Sequence, residues 1–392
     1  MSKQPSLSSY PLFALGFRAF FVLSGLSALV LIALWRSVYA GSLPLNNYYP
    51  MTLWHIHEML LGYTTAVISG FLLTAVRNWT GKDTVSGAAL AGLCLLWVYG
   101  RIAPFYAGLL PDGLIAAIDF AFLPLLIFHI YKPIEQAGHY KSLIFIGLLL
   151  LLMLGNGLMH LEILGFLEDS AWTGSKIIVL TVILMILIIA GRVFPFFTER
   201  GLSGVIALRN PKLDALSIAS AAAVFLLDIF GISGVLLATA AVLAAIVNSM
   251  RVAGWYVRKI WYVPLLWVLY CGYGWIVAGF LLTALTAFQL IAPSLAMHAF
   301  TLGGIGVLTL GMMARVSLGH TGRALKTSNT MALAFVLINA AALFRVLLPA
   351  LLPGWYSQLL VIVTELWLAA FALFVFVYLP ILTQPRIDGK PG

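Results

Sequence analysis

Long apolar runs follow one another along almost the whole chain and restrict its fold more than any other feature. Each run is about 20 residues long, the length that an α-helix needs to cross a hydrocarbon core of about 30 Å. With 62% hydrophobic and 9% charged residues, the composition is not that of a soluble protein surface. The sequence therefore predicts an all-α, polytopic membrane helical bundle rather than separate soluble domains.

Charged residues, Pro and Gly divide the apolar runs into about twelve predicted transmembrane helices. The weakest division lies between Ile229 and Val235, where a short turn separates two weaker spans. Merging these two spans would invert the topology of everything that follows. The predicted spans are residues 17–35, 54–76, 85–102, 112–131, 142–166, 172–197, 214–230, 234–255, 261–285, 293–316, 331–351 and 358–379.

Basic residues concentrate at the two ends of the chain and in every second predicted loop. Lys3 lies at the N-terminus and Lys390 at the C-terminus, whereas the alternate loops contain almost no basic residue beyond Arg36. Positive charge marks the cytoplasmic side of membrane proteins, so both termini are predicted to be cytoplasmic. The membrane topology thus explains the net charge of +9, and the charge does not indicate a nucleic-acid partner. The chain is predicted to be one transmembrane domain, residues 1–392, of about twelve spans.

Four histidines from three predicted spans fall at one depth, in the half of the membrane that this topology places outside. His55 and His57 begin the second span, His160 lies roughly 9 Å from the outer end of the fifth, and His298 lies near the start of the tenth. Imidazole is the commonest ligand of transition metals and haem iron, so these residues predict a metal or haem site. The alternative is that each histidine is an interhelical hydrogen-bond partner.

His55 and His57 cannot both face one metal ion if the second span starts as a regular helix. They are two residues apart in the sequence, which is about 200° around a helix axis. Either one of them is a ligand and the other is structural, or the two histidines serve two centres.

Ionisable residues of both signs accompany these histidines in the predicted outer half of the bundle. Inside a membrane such residues orient a ligating imidazole, hold haem propionates or relay protons. Salt bridges between helices account for them equally well. The residues are Glu58, Asp119, Glu162, Asp228, Glu365, Arg101 and Arg345.

Two basic segments lie on the opposite, predicted cytoplasmic face. One comprises residues 191–201 and the other residues 311–323, which include Arg315, His320 and Arg323. Together they predict an inner anion site, an anchor for haem propionates or a gate. They are also explained as positively charged loops that end helices on the cytoplasmic side.

Short motifs are spread along nearly the whole chain. They are Pro11-Leu-Phe-Ala-Leu-Gly-Phe-Arg-Ala-Phe20, Trp54-His-Ile-His-Glu58, Gly70-Phe-Leu-Leu-Thr-Ala-Val76, Gly191-Arg-Val-Phe-Pro-Phe-Phe-Thr198, Arg251-Val-Ala-Gly-Trp255, Gly311-Met-Met-Ala-Arg315 and Gly319-His-Thr-Gly-Arg323. Taken together, these motifs make a specific set, and the chain that contains them resembles the NnrS family of bacterial membrane proteins.

The resemblance implies a haem- and copper-containing protein of the bacterial inner membrane, linked to denitrification and to the response to nitric oxide and nitrosative stress.

The chain departs from the family pattern at one position that bears on copper binding. Where the family pattern Leu-His-x-Gly-Tyr-x-Trp has histidine, this chain has Tyr270. If that position ligates metal in relatives, copper binding is less secure here than haem binding. The chain has no CxxCH motif, so electrons would come from a partner protein.

The shared depth of the histidines and the resemblance together select the predicted site residues. Haem is assigned first to His57 and His298, and a second metal to His55 and His160. The predicted cofactor contacts are His55, His57, His298, Arg315 and Arg323, and the predicted metal ligands are His55, His57, His160 and His298.

Two other functions compete with a protein that binds, senses or turns over nitric oxide. A proton-coupled transporter without a redox centre would use the same histidines and carboxylates as its substrate path. No convincing repeat is visible between the halves of the sequence, so transport stays second. A scaffold or assembly factor for a respiratory complex is third. The sequence leaves open whether the chain catalyses a reaction.

Overall fold

The computed structural model describes residues 10–44 and 46–390, and helices dominate their secondary structure. These residues form helices and helical turns and no β-strand, which confirms the predicted fold class. Eleven helical segments among them are long and apolar enough to cross a membrane. Lys3, which contributed to the predicted topology, lies outside the described residues.

The described residues form sixteen α-helices, α1 to α16 in chain order. The first eight are α1 (Gly16–Tyr39), α2 (Met51–His57), α3 (Thr65–Thr80), α4 (Gly87–Ile102), α5 (Asp112–Phe120), α6 (Phe122–Ala137), α7 (Leu143–Ile163) and α8 (Ser170–Gly201). The second eight are α9 (Pro211–Ile229), α10 (Val235–Ala253), α11 (Pro264–Thr286), α12 (Pro293–His298), α13 (Val307–His320), α14 (Asn329–Val346), α15 (Leu348–Leu351) and α16 (Tyr356–Thr383).

Two of the membrane-spanning segments contain a π-helical stretch directly after a histidine. Glu58–Thr64 follows His57 and joins α2 to α3, and Ala299–Gly306 follows His298 and joins α12 to α13. Wide turns of this kind are rare and occur frequently at functional sites. Both stretches lie inside spans that the sequence predicts as single helices.

The turn between α9 and α10 confirms the weakest division of the predicted spans. Gly231 and Gly234 lie in this turn with φ values of 69° and 70°. Glycine adopts positive φ at little cost, whereas other residues rarely do, so the chain ends one helix and starts another here. Helix α9 carries charged residues near both ends and is not among the eleven most apolar segments. Counting it as a span yields the predicted twelve.

The chain forms two compact units. The first comprises Met1–Ile178, Val316–Ala324 and Phe374–Gly392, and the second comprises Val179–Arg315 and Leu325–Leu373. In the first unit α1 packs against α3, and in the second α10 packs against both α9 and α11. A single domain over residues 1–392, with both termini cytoplasmic, stays a prediction.

Candidate metal centre

The first unit contains a cluster of buried polar side chains around Asp119 of α5. The Oδ2 atom of Asp119 lies 3.2 Å from Nε2 of His57 and 3.0 Å from Nε2 of His160. His57 ends α2 and His160 lies in the last turn of α7, so three helices supply the three groups. The exposed fraction is 0% for His57, 3% for Asp119 and 4% for His160.

These three side chains have the composition of a metal site. Their ligand atoms, one from each side chain, lie within 4.8 Å of one another. Two imidazole nitrogens and one carboxylate oxygen are donors that suit zinc, copper and iron. The cluster therefore fits one transition-metal ion held by α2, α5 and α7.

Glu58 orients the imidazole of His57. Its Oε1 atom lies 3.1 Å from Nδ1 of His57. The carboxylate is an acceptor, so Nδ1 carries the hydrogen of this bond, and Nε2 faces Asp119. Histidines that ligate metals almost always donate the other ring N–H to a carboxylate, a carbonyl or water. His57 therefore has the tautomer and the second partner that a metal ligand needs.

Arg101 of α4 offsets the charge of both carboxylates. Its NH1 donates to Oε1 of Glu58 at 3.0 Å, and its NH2 forms an ion pair with Oδ1 of Asp119. With neutral histidines, two carboxylates and one guanidinium leave one negative charge uncompensated in a buried place. Either a metal cation or a proton would reduce the cost of burying that charge.

Gly62, in the π-helical stretch, makes room for the pair of Glu58 and Arg101. A Cβ atom added at Gly62 would lie 3.0 Å from Oε2 of Glu58 and 3.1 Å from NH1 of Arg101. The carbonyl of Gly62 accepts a hydrogen bond from Nε1 of Trp97 at 3.2 Å. A side chain at this position would therefore displace the ion pair.

Two tyrosines from the loop between α1 and α2 complete the cluster. The hydroxyl of Tyr49 lies 2.9 Å from Nε2 of His57, and that of Tyr48 lies 3.3 Å from Nδ1 of His160. Burial raises the pKa of both hydroxyls above the usual range, so the two phenols stay protonated and can donate hydrogen bonds. From α7, Asn156 adds an Nδ2 donor 2.9 Å from Oδ2 of Asp119.

An open cleft of about 620 Å³ lies beside the two tyrosines. Its lining includes Asn47, Tyr48 and Tyr49, together with the apolar side chains of Val38 and Met51. Tyr48 and Tyr49 line the cleft, and their hydroxyls contact the two histidines. These two tyrosines thus connect the cleft with the cluster.

Comparison with known families accounts for nearly the whole chain. Residues 11–386 match the NnrS family model, whose description is NnrS protein. The chain belongs to the NnrS family. The length of this match confirms the resemblance seen in the short motifs. No curated protein matches the chain significantly.

Of the predicted metal ligands of this NnrS-family chain, His55 lies apart from His57 and His160. Its ring stacks on Trp35 of α1, with ring centroids 4.3 Å apart. The ring of His57 stacks instead on Tyr49, with centroids 4.3 Å apart. The two neighbouring histidines thus face different partners, as a separation of about 200° around a helix predicts.

His298, the fourth predicted ligand, belongs to the second unit. Its Nδ1 atom lies 2.7 Å from the carbonyl oxygen of Ser294. The carbonyl can only accept, so Nδ1 carries the hydrogen and Nε2 is the nitrogen with a lone pair. A histidine held in this way could bind haem iron through Nε2, and the assignment of haem to His298 stays a prediction.

Arg315 and Arg323, the predicted cofactor contacts, lie in different units. Arg315 is in the second unit, where its guanidinium lies 3.8 Å from the ring centroid of Phe197. Arg323 is in the first unit, and its backbone N–H donates to the carbonyl of Leu318 at 3.0 Å. Contact of either arginine with a cofactor stays a prediction.

Tyr270 occupies the position at which the resemblance implies histidine, and its hydroxyl makes two hydrogen bonds. It donates to the carbonyl oxygen of Trp255 at 2.7 Å and lies 2.8 Å from Oγ1 of Thr198. Since its hydrogen is used by Trp255, the threonine hydroxyl is the donor of the second bond. Tyr270 therefore links α8, α11 and the residues after α10 within the second unit.

Of the other four predicted ionisable residues, one belongs to the first unit and three to the second. Glu162 accepts a hydrogen bond from the backbone N–H of Ala171 at 2.7 Å. Asp228, Arg345 and Glu365 belong to the second unit.

Tyr48, Tyr49 and Asn156 are contacts of the cluster that the sequence did not reveal. The spacing of Asn156 could have predicted its contact, because it lies four residues before His160 and therefore on the same face of α7. The two tyrosines lie in a loop, and no periodicity relates a loop residue to a helix face.

Proposed function

We propose that this chain binds a transition-metal ion at His57, Asp119 and His160 in the bacterial inner membrane and acts there in the response to nitric oxide. The convergence of two buried imidazole nitrogens on one carboxylate carries the proposal. Membership of the NnrS family supports the link to nitric oxide through the properties that the resemblance implies. A metal ion bound here would supply a place for a diatomic ligand.

The surrounding residues would keep such a site oriented and close to neutral. Glu58 holds the ring of His57, and Arg101 offsets the charges of both carboxylates. Tyr49 has a protonated hydroxyl 2.9 Å from Nε2 of His57, and this hydroxyl could donate a hydrogen bond to a small ligand. The burial of all three ligand residues excludes bulk water.

Haem does not fit between His57 and His160. Their ring centroids lie 6.0 Å apart at an interplanar angle of 64°, and the carboxylate of Asp119 contacts both rings. A porphyrin plane has no space there, so we assign the non-haem metal to this cluster and haem to His298. Copper is the metal that the resemblance favours for the cluster. The tyrosine at position 270, where the resemblance implies histidine, is not one of the three metal-binding residues of the cluster. The cluster therefore keeps all three of its donor atoms.

A proton-coupled transporter is the second candidate, and one observation favours it. Hydrogen bonds run without a break from Tyr48 through His160, Asp119 and His57 to Glu58. Connected titratable groups inside a membrane can hold or relay protons. In this alternative a proton, and not a metal ion, offsets the buried negative charge.

Metal analysis of the purified protein tests the proposal and separates the two candidates. Elemental analysis and pyridine haemochrome measurement are made on the parent, His57→Ala, His160→Ala and the control His129→Ala, a histidine of α6 that lies outside the cluster. We expect the non-haem metal in the parent and the control and its loss from the other two variants. Nitric oxide should alter the electron paramagnetic resonance signal of that metal.

Two outcomes would contradict the proposal. A folded parent without metal would leave the transporter as the better explanation. Metal retained in both His57→Ala and His160→Ala would place the ion at another site.

A further inference from the structure

His57 and His298 begin two segments of the chain that have the same local structure. Each histidine ends a short helix and is followed directly by a π-helical stretch. An α-helix then leads to a glycine with positive φ, 66° at Gly81 and 75° at Gly322. The two segments therefore change helix type in the same order.

Glycines recur at the same intervals in the two segments. Gly62, Gly70 and Gly81 follow His57 as Gly303, Gly311 and Gly322 follow His298. Close packing accounts for the middle glycine of each set. A Cβ atom would lie 2.9 Å from Phe21 at Gly70 and 2.8 Å from Val268 at Gly311. The two segments thus share one pattern of helix types and glycines, and each is called a copy of that pattern.

Arg315 lies where the first copy has Thr74. Each of these residues lies four positions after the middle glycine of its copy, Gly311 or Gly70. The hydroxyl of Thr74 donates to the carbonyl of Gly70 at 2.8 Å and accepts from the backbone N–H of Phe17 at 3.2 Å. A small hydroxyl side chain thus meets the structural needs of this position, and the element does not require an arginine.

Arg315 is buried without an acidic partner in the described part of the chain. Its exposed fraction is 3%, and its Nε atom has no hydrogen-bond partner among the residues described. The ring of Phe197 covers the guanidinium at 3.8 Å. In the same unit Arg251 donates to Asp214 at 2.6 Å. A buried charge without a counter-ion is costly inside a membrane, and such residues usually face a ligand path.

We propose that Arg315 binds a small anion of the carboxylate or oxyanion class. A guanidinium offers parallel N–H donors that match two oxygens of such an anion, while Phe197 packs against its face. The anion is either a free small anion or a carboxylate carried by a bound cofactor, because both present the same pair of oxygens. The proposal does not depend on the metal centre at His57.

Titration of the purified full-length protein, with whatever cofactors it retains, tests this site. Sodium nitrite and sodium acetate are added at constant ionic strength, and binding is followed by calorimetry and by the rise in melting temperature. We expect saturable binding to the parent and a loss of affinity of about tenfold or more in Arg315→Gln. Arg258→Gln, which removes an exposed arginine of the same unit, should bind as the parent does.

Arg315→Lys provides a second variant that retains the charge and loses the paired donors. We expect it to weaken anion binding less than Arg315→Gln does, and to remain informative where the glutamine variant fails to fold.

Haem content of the same preparations separates the two sources of the anion. If free anions do not bind the parent but either Arg315 variant contains less haem per folded protein, the carboxylate belongs to the cofactor and the proposal holds. Equal anion binding by the parent and both variants would overturn it. The proposal would also be overturned if neither anion binding nor haem content changed in the Arg315 variants. The absence of metal at His57 would change neither result.

Discussion

Nε2 of His57 lies 3.2 Å from Oδ2 of Asp119, although the two residues are 62 positions apart in the sequence. Each side chain alone would be costly in a membrane interior. Their contact, with His160 and Arg101 around it, turns two isolated polar groups into a connected and almost fully satisfied network. The consequences of this arrangement can be measured one residue at a time.

The Glu58→Gln variant tests how much the orientation of His57 contributes to metal binding. An amide removes the negative charge that holds the Nδ1–H of His57, and the loss of such a partner typically lowers metal affinity about 10- to 100-fold. We expect this loss in a competition titration with a chelator. Glu162→Gln, which lies outside the cluster, is the matched control. Equal affinities for the two variants would argue against ligation by His57.

The Arg101→Gln variant tests the charge balance of the cluster. It leaves the carboxylates of Glu58 and Asp119 without their cation, and removing one partner of a buried ion pair costs about 3–5 kcal/mol of unfolding free energy. Denaturation of the protein in detergent measures the loss. The control Arg209→Gln breaks an exposed pair with Glu199, which solvent screens, and should leave the unfolding free energy almost unchanged. Similar costs for both variants would contradict the assigned burial.

The Gly62→Ala variant tests the space in the π-helical stretch. The new methyl group would meet Glu58 and Arg101 at about 3 Å, so we expect the ion pair to shift and both stability and metal content to fall. Gly92→Ala in α4 is the control, because a Cβ atom there has no neighbour within 4 Å. Helix propensity alone would make alanine better than glycine by about 1 kcal/mol at either position. A stabilised Gly62→Ala protein with full metal content would refute the steric argument.

The Tyr270→Phe variant tests whether the phenol has a structural role or ligates metal. Loss of the hydroxyl leaves the Trp255 carbonyl and the Thr198 hydroxyl without their partner, at a cost of about 1–3 kcal/mol. We expect lower thermal stability and unchanged metal content. Tyr262→Phe, at a residue that is 85% exposed, should change neither. Metal loss from a folded Tyr270→Phe protein would show that the phenol replaces the family histidine as a ligand.

Cysteine labelling tests the predicted topology. Leu109→Cys and Phe166→Cys should react with an impermeant thiol reagent from the periplasm, whereas Lys82→Cys and Arg209→Cys should react only from the cytoplasm. The parent, with Cys94 and Cys271, measures background labelling. The reverse pattern, or uniform labelling, would show that a span had been miscounted.

The sequence by itself determined the helical membrane fold, the division into spans and the family. Each of these follows from local properties. The length of an apolar run decides whether a helix can cross lipid, and glycines such as Gly231 and Gly234 mark a turn through their own backbone freedom. The depth of His57 and His160 also follows from position along a span, which is a one-dimensional quantity.

Only the tertiary structure decided which of the histidines that are predicted to share one depth lie together. Depth leaves two things undetermined: the rotation of each helix about its axis, and the identity of its lateral neighbours. His55 and His57 have nearly the same depth, yet one stacks on Trp35 and the other contacts Asp119. The loop tyrosine Tyr49 reaches His57 for a similar reason, since its place depends on the packing of helices distant in sequence.

The repeated element around His57 and His298 also became recognisable only in the structure. Most residues of the two copies differ. What they share is a π-helical stretch and a few glycines at matching intervals, features that hydrophobic periodicity does not detect. The contrast between Thr74 and Arg315 follows from that alignment. The sequence predicts the depth of each group from its position along a span, and packing decides which groups lie together.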